Sequence, residues 1–184
     1  MRAECCVFIA TSLDGFIARP NGSLDWLDRV NERVPAGEDC GFREFLATID
    51  ALVMGRRSFE TVAGFPDWPY GSTPVHILSS SLKRASGRYA DRVKISDESP
   101  GDCVSRLTAG GARRIYVDGG ETIRRFLRES LIDEMTITRV SVLIGQGVPL
   151  FGALETDIPL RHVETRVYPF GHVQSRYRLV REIA

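Results

Sequence analysis

The chain has 184 residues, 43% hydrophobic and 26% charged, with 24 basic and 24 acidic side chains that cancel to a formal net charge of zero. That size and mix describe one globular domain over residues 1–184, long enough to bury a core without staples. Balanced charge leaves no footprint for nucleic acid or an anionic membrane, no apolar run is long enough to cross a bilayer, and Met1-Arg2-Ala3-Glu4 lacks a signal-peptide layout, so a cytoplasmic protein is expected.

Cys5 to Ala10 reads as a first strand, apolar and uninterrupted. Its two cysteines would point to opposite faces, and Cys40 and Cys103 stand alone; with no Cys-x-x-Cys, reduced thiols are expected. Asp14-Gly15 and Arg19-Pro20-Asn21-Gly22-Ser23 carry turn chemistry, and Leu24 to Leu27 starts a short helix that Val34-Pro35-Ala36-Gly37 breaks. Helical periodicity returns at Asp39. Phe42, Phe45, Leu46 and Ile49 make one stripe, and Asp39 falls on it three residues earlier. Asp39 is therefore the one carboxylate of this helix expected to face inward; a cap or first-turn acid is the alternative.

Ala51 to Met54 is a buried strand ended by Gly55, after which Arg56, Arg57 and Ser58 lead into a helix. A helix start offers unpaired N–H groups and a positive dipole end, and arginines add forked donors, so this unit suits a phosphate. Surface arginines after a strand are the plainer alternative. Gly64 to Gly71 is an aromatic loop. Val75 to Leu78 is a strand that ends in Ser79-Ser80-Ser81, hydroxyls at a strand end where open α/β sheets bind ligands. Val93 to Ile95 is a further short strand, and Ser99-Pro100 opens a helix to Ala109. Ile115 to Val117 runs into Asp118-Gly119-Gly120-Glu121-Thr122 and a helix striped by Ile123, Phe126, Leu127 and Leu131. Paired glycines let backbone approach a ligand, and the helix amides that follow can take a phosphate, as at the first helix start; a tight turn with no ligand is the alternative. Glu134 to Val142 alternates as a strand; Leu160 to Tyr168 and His172 to Val180 form an antiparallel hairpin.

The order predicts an α/β fold: a mostly parallel central sheet, helices on both faces and an antiparallel C-terminal hairpin. No P-loop, complete Rossmann fingerprint or Gly-x-Ser-x-Gly elbow is present, and His76, His162 and His172 lack metal-ligand spacing, so no metal is expected. Two anion-binding helix starts in one open sheet point to a long bis-phosphate ligand such as a dinucleotide.

Five stretches in this order carry a resemblance: Ser12-Leu13-Asp14-Gly15, Val53-Met54-Gly55-Arg56, Leu78-Ser79-Ser80, Val117-Asp118-Gly119-Gly120 and Gly147-Val148-Pro149-Leu150-Phe151. The chain resembles the dihydrofolate reductase-like superfamily over nearly its whole length. It looks closest to stand-alone relatives of the riboflavin-biosynthesis (RibD C-terminal) reductase domain. The resemblance implies NADPH as cofactor, with Ala10 and Ile17 near the nicotinamide. It implies Arg56, Arg57 and Ser58, after Gly55, at the pyrophosphate and 2′-phosphate, and Ser79 and Ser80 by the adenosine ribose phosphate. Gly119, Gly120, Glu121 and Thr122 would give backbone contacts to the pyrophosphate. Asp39 falls at the position of the carboxylate that binds the pterin and assists protonation in folate reductases. Thr73 stands where those enzymes carry an arginine that clamps the substrate's glutamate tail, which argues against dihydrofolate as the preferred substrate. The expected activity is hydride transfer from NADPH to a pyrimidine or pterin-like heterocycle, by a homodimer; a non-catalytic NADPH-binding protein is the alternative.

Overall fold

The computed structural model describes residues 1–180; residues 181–184, the end of the expected domain span, lie outside the described residues. Six strands run parallel: β1 (Glu4–Ser12), β3 (Ala51–Gly55), β4 (Val75–Leu78), β5 (Val93–Ser96), β6 (Arg114–Asp118) and β7 (Ile132–Val140). The hairpin of β9 (Leu160–Val167) and β10 (Val173–Leu179) joins antiparallel to β7, giving the order β5-β4-β3-β6-β1-β7-β10-β9. Strands β2 (Phe16–Ala18) and β8 (Val148–Pro149) pair as a separate small ribbon. The helices are α1 (Asp25–Asn31), α2 (Phe42–Leu46), α3 (Arg56–Ala63), α4 (Pro100–Ala109) and α5 (Gly120–Arg128). This is the mixed, mostly parallel fold that the strand–helix alternation predicts, with a dihydrofolate reductase-like architecture.

Alternate residues of the central strands feed two cores. Val53, Ile115 and Val117 pack with Cys103 of α4 and with Ile123 and Phe126 of α5. Leu52, Met54 and Tyr116 face the other way, onto Phe59 and Val62 of α3 and the phenyl rings of α2. Burial on both faces is why Ala51–Met54 and Val75–Leu78 are buried without alternation, His76 included. Hairpin strand β9 is exposed along its whole length.

One topological fact positions everything that follows. Strand β6 inserts between β3 and β1, so Val53 lies beside Val117 and Met54 beside Asp118. Two strand–glycine–helix units far apart in sequence thereby sit next to each other, with their open ends on one edge.

The structure corrects one boundary that bears on the site. Helix α2 begins at Phe42, so Asp39 is on the preceding turn and not in the helix. Cys40 (φ 54°) and Gly41 (φ 83°) are both left-handed. Two such residues in succession stop the helix from extending back, although Gly41 alone signals this in the sequence.

Candidate active site

The carboxyl ends of the parallel strands place the expected residues in a row. In order along the edge stand Ser79 and Ser80 after β4, Gly55 to Ser58 after β3, Gly119 to Thr122 after β6, and Ala10 and Ile17 at the end of β1 and in β2. Three strand spacings of about 4.8 Å separate β4 from β1, so the row spans roughly 14 Å.

The middle of the row is knitted tightly. A Cβ on Gly119 would overlap the Ser58 hydroxyl, and one on Gly55 would come to 3.0 Å from Thr122 Oγ1. A Cβ on Gly120 would meet Ile17 Cδ1 at 2.7 Å. Gly119 also has φ 86°, which L side chains rarely adopt. The glycines are thus required by the approach of the β3–α3 and β6–α5 turns to each other and to Ile17. Neither α3 nor α5 has a side-chain cap, so no side chain takes up their first-turn amides. Glu121, in the first turn of α5, is turned aside into an ion pair with Arg124 at 2.9 Å.

The basic end of the row is exposed. Arg56 reaches Glu60 at 2.6 Å and Ser81 Oγ at 3.4 Å, while Arg57 and Ser80 face solvent. Ser79 Oγ accepts from Leu82 N and so shapes the turn after β4. A cavity of about 290 Å³ lies between the loop after β4 and β5, lined in part by Lys83, Arg84 and Asp91. The sequence reading missed these two cations, because a loop lysine and arginine carry no local signal of their own.

The other two resemblance motifs are architectural. Asp14 accepts from Ile144 N (3.1 Å) and Gly145 N (2.7 Å), tying the β1–β2 turn to the loop before β8. Arg124 donates to Pro149 O at 2.6 Å. Together they hold the β2–β8 ribbon, and with it Ile17, against Gly120.

Beside the Ala10 end lies a second cavity, about 520 Å³, in the range of small-molecule sites. Its floor is Phe8 and Ala10 of β1 with Thr138 and Val140 of β7. Phe42, Val34 and Leu27 make the apolar wall, and Glu38, Asp39, Cys40 and His172 are its ionisable groups. Asp39 therefore does reach the cavity next to the expected nicotinamide end. Its carboxylate also accepts from Gly41 N (3.0 Å) and Arg43 N (3.1 Å) and pairs with Arg43 Nε at 3.4 Å, so it caps α2 as well. Gln174 of β10 donates to Cys40 O and Thr138 Oγ1, both at 2.9 Å, and locks the Asp39 turn to the sheet. His172 is 3% exposed, and neither ring nitrogen has a hydrogen-bond partner within the protein. Such buried polar atoms each cost roughly 1–3 kcal/mol until something satisfies them.

Asp118, at the end of β6, is a second group the sequence reading left without a role. Burial raises its carboxyl above the ordinary value, against the opposing pull of Gly119 N–H and the Tyr116 and Tyr70 hydroxyls. Tyr70 donates to it at 3.4 Å. The same environment drives both phenols up, chiefly through burial and then through Asp118. The buried thiols of Cys5 and Cys103 are pushed up to about 12 by burial, which leaves them unreactive. Among the described residues no helix is long and apolar enough to cross a membrane.

Comparison with known proteins agrees with this fold. The RibD C-terminal domain family matches residues 4–173. The uncharacterized protein YwjB of Bacillus subtilis (strain 168) is 34% identical over 182 residues, 96% of this chain and 98% of its own. The crystal structure of a putative riboflavin biosynthesis protein from Shewanella sp. PV-4 superposes with a TM-score of 0.89 at 42% identity, covering 98% of this chain and all of that one. The Thermotoga maritima diaminohydroxyphosphoribosylaminopyrimidine deaminase/5-amino-6-(5-phosphoribosylamino)uracil reductase shares the fold, with a TM-score of 0.72 at 15% identity over 97% of this chain and 57% of that one. The family model over residues 4–173 and the full-length match to YwjB carry the conclusion: this chain is a member of the RibD C-terminal domain family.

Proposed function

We propose that the chain is an NADPH-dependent oxidoreductase that delivers hydride to a pyrimidine or pterin-like heterocycle in the Asp39 cavity. The observation that carries this is the order of groups along the strand edge. Cations and hydroxyls stand at the β4 end, open helix amides and glycines in the middle, and Ile17, Ala10 and the cavity at the other end. A 2′-phosphate, a pyrophosphate and a nicotinamide follow the same order in one extended dinucleotide.

In this reading Arg56, Arg57, Ser79 and Ser80, with Lys83 and Arg84 nearby, favour the phosphate that distinguishes NADPH from NADH. The first-turn amides of α3 and α5 take the pyrophosphate, and the glycines let it approach. NADPH supplies the hydride. Ile17 and Ala10 would hold the nicotinamide at the cavity. Asp39 would hydrogen-bond an amino-pyrimidine edge and favour its protonated form, which makes the adjacent carbon a better hydride acceptor.

One observation favours a non-catalytic NADPH-binding protein: Asp39 is already occupied as a cap. Asp39→Asn separates the two, since asparagine caps nearly as well. In the enzyme, turnover falls about 100-fold, the usual weight of a positioned acid–base group, while NADPH affinity is kept. Unchanged turnover would leave Asp39 as a cap and remove the mechanism. The protein is further proposed to work in the cytoplasm as a homodimer, because the exposed β9 edge offers unpaired backbone groups to a second copy. Light scattering that returned a monomer mass at micromolar concentration would rule the dimer out.

A further inference from the structure

Strand β9 is the outermost strand of the sheet, so one side of its backbone has no strand partner among the described residues. It is also uncovered on both faces: all eight residues are exposed, Val167 at 71% and Val163 at 39%. A strand of this length at an edge is a template for another chain unless charges or a bulge block it. Both devices are present. Arg161, Glu164 and Arg166 put charge on the strand. The pairing with β10 slips at Val163, since Arg176 stands opposite Glu164 and Tyr177 opposite His162.

The order of these residues supplies the second observation. Val163-Glu164-Thr165-Arg166-Val167 reads the same from either end, except that the charge changes sign. Turned about a twofold axis perpendicular to the sheet at Thr165, the segment meets its own copy antiparallel. Glu164 then stands opposite the partner's Arg166, and Arg166 opposite the partner's Glu164. Valine meets valine at both ends, and Thr165 meets the partner's Thr165. Residues directly opposite each other share a face, so the axis must pass through a residue. Moving it by one destroys the match: at Glu164 it sets glutamate against glutamate, and at Arg166 arginine against arginine. The side chains are disposed for the Thr165 register. Glu164 has Arg176 on its β10 side at 3.2 Å, yet its side chain is 60% exposed. Arg166 is exposed beside the Tyr168 hydroxyl. Thr165 bonds Ser175 across the hairpin at 2.9 Å.

We propose that β9 is a self-complementary edge: a second copy of this chain pairs with it antiparallel over residues 163–167, centred on Thr165, and joins two eight-stranded sheets into one. The inference rests on the homodimer of the proposed function and fixes its surface and its register. Charges that keep other strands off this edge, and that reject this strand in a shifted register, attract it in this one. The bulge at Val163 confines the regular ladder to the charged centre, and the exposed Val163 and Val167 cover its two ends.

The test is sedimentation equilibrium of the full chain over a concentration series. The wild type is expected to be a dimer at micromolar concentration. Glu164→Arg sets arginine against arginine twice across the axis, and the dimer dissociation constant is expected to rise about 30-fold. Adding Arg166→Glu to that variant restores the match with the signs exchanged and is expected to bring most of the affinity back. The swapped protein carries the same first substitution, so a folding defect of the single variant cannot account for the difference. Wild-type affinity in Glu164→Arg overturns the inference and leaves the homodimer to another surface. A swapped protein as weak as the single variant overturns the register. A wild type that stays monomeric at micromolar concentration overturns the inference and the homodimer together. The cofactor reading is tested separately by NADPH titration and is untouched by any of these results.

Discussion

Helices α4 and α5 each follow a short strand and pack on the same core, yet their first turns are built in opposite ways. The start of α4 is closed by the chain itself. Ser99 Oγ accepts from Asp102 N at 3.1 Å and donates to its carboxylate at 2.7 Å, Pro100 fills the first position, and Gly101 N donates to Glu129 at 3.0 Å. The start of α5 is left open: Gly119 contributes no side chain, and the carboxyl next to it, Asp118, is driven toward its neutral form by burial. Helix α3 is open in the same way. A missing cap costs about 1 kcal/mol. Helix α1 also lacks a side-chain cap, but only α3 and α5 stand side by side on the edge of the sheet, which is where the proposed function puts an external anion.

The sharpest way to break this contrast is to give α5 a side chain. Gly119→Ala forces a methyl into the Ser58 hydroxyl at a backbone angle that alone costs about 1–3 kcal/mol. Stability should fall by at least that much, and NADPH affinity about 100-fold, as both turns shift. Chemical denaturation and cofactor titration of the same variant check the two effects. A smaller effect is expected one residue earlier. Because the folded Asp118 pKa lies above its unfolded value, the folded state binds the extra proton between the two. The stability from that proton is therefore fully present below the ordinary aspartate range and is lost as pH rises through the raised value. Asp118→Asn should lack this slope, so its stability relative to wild type increases from pH 3 toward pH 7; urea unfolding at several pH values would contradict this by giving parallel curves. The smallest effect is expected at the closed helix. Ser99→Ala should cost about 1 kcal/mol of stability and nothing in cofactor affinity. A loss of NADPH binding there would erase the distinction between the two helix starts.

The strand–glycine–helix units were legible because each is written in consecutive residues: an apolar run, a glycine, then arginines or a second glycine. Their being neighbours was not, since it depends on β6 entering between β3 and β1. Asp39 was legible as a carboxylate near the site but was assigned to a helix it only caps. Its stripe partners continue smoothly, and the two left-handed residues that interrupt them include Cys40, a residue type with no preference for that conformation. His172, Thr138 and Glu38 were illegible for a different reason. They come from strands and turns well separated in sequence, and only the β1–β7–β10 pairing gathers them around one cavity. Asp118 stood in plain view inside a motif, but its chemistry is set chiefly by burial, which no local signal shows, and Tyr70 reaches it from a distant loop.

The central claim is that the open edge holds NADPH, phosphate end at Arg56 and nicotinamide end at Ala10. Fluorescence titration of the purified protein with NADPH, with NADH as the control, tests it most directly. Saturable NADPH binding at least about tenfold tighter than NADH is expected from a paired guanidinium–phosphate contact. Equal affinity for the two would move the 2′-phosphate away from Arg56, Arg57 and the serines. Binding of neither would leave the open helix starts without their ligand and contradict the claim outright.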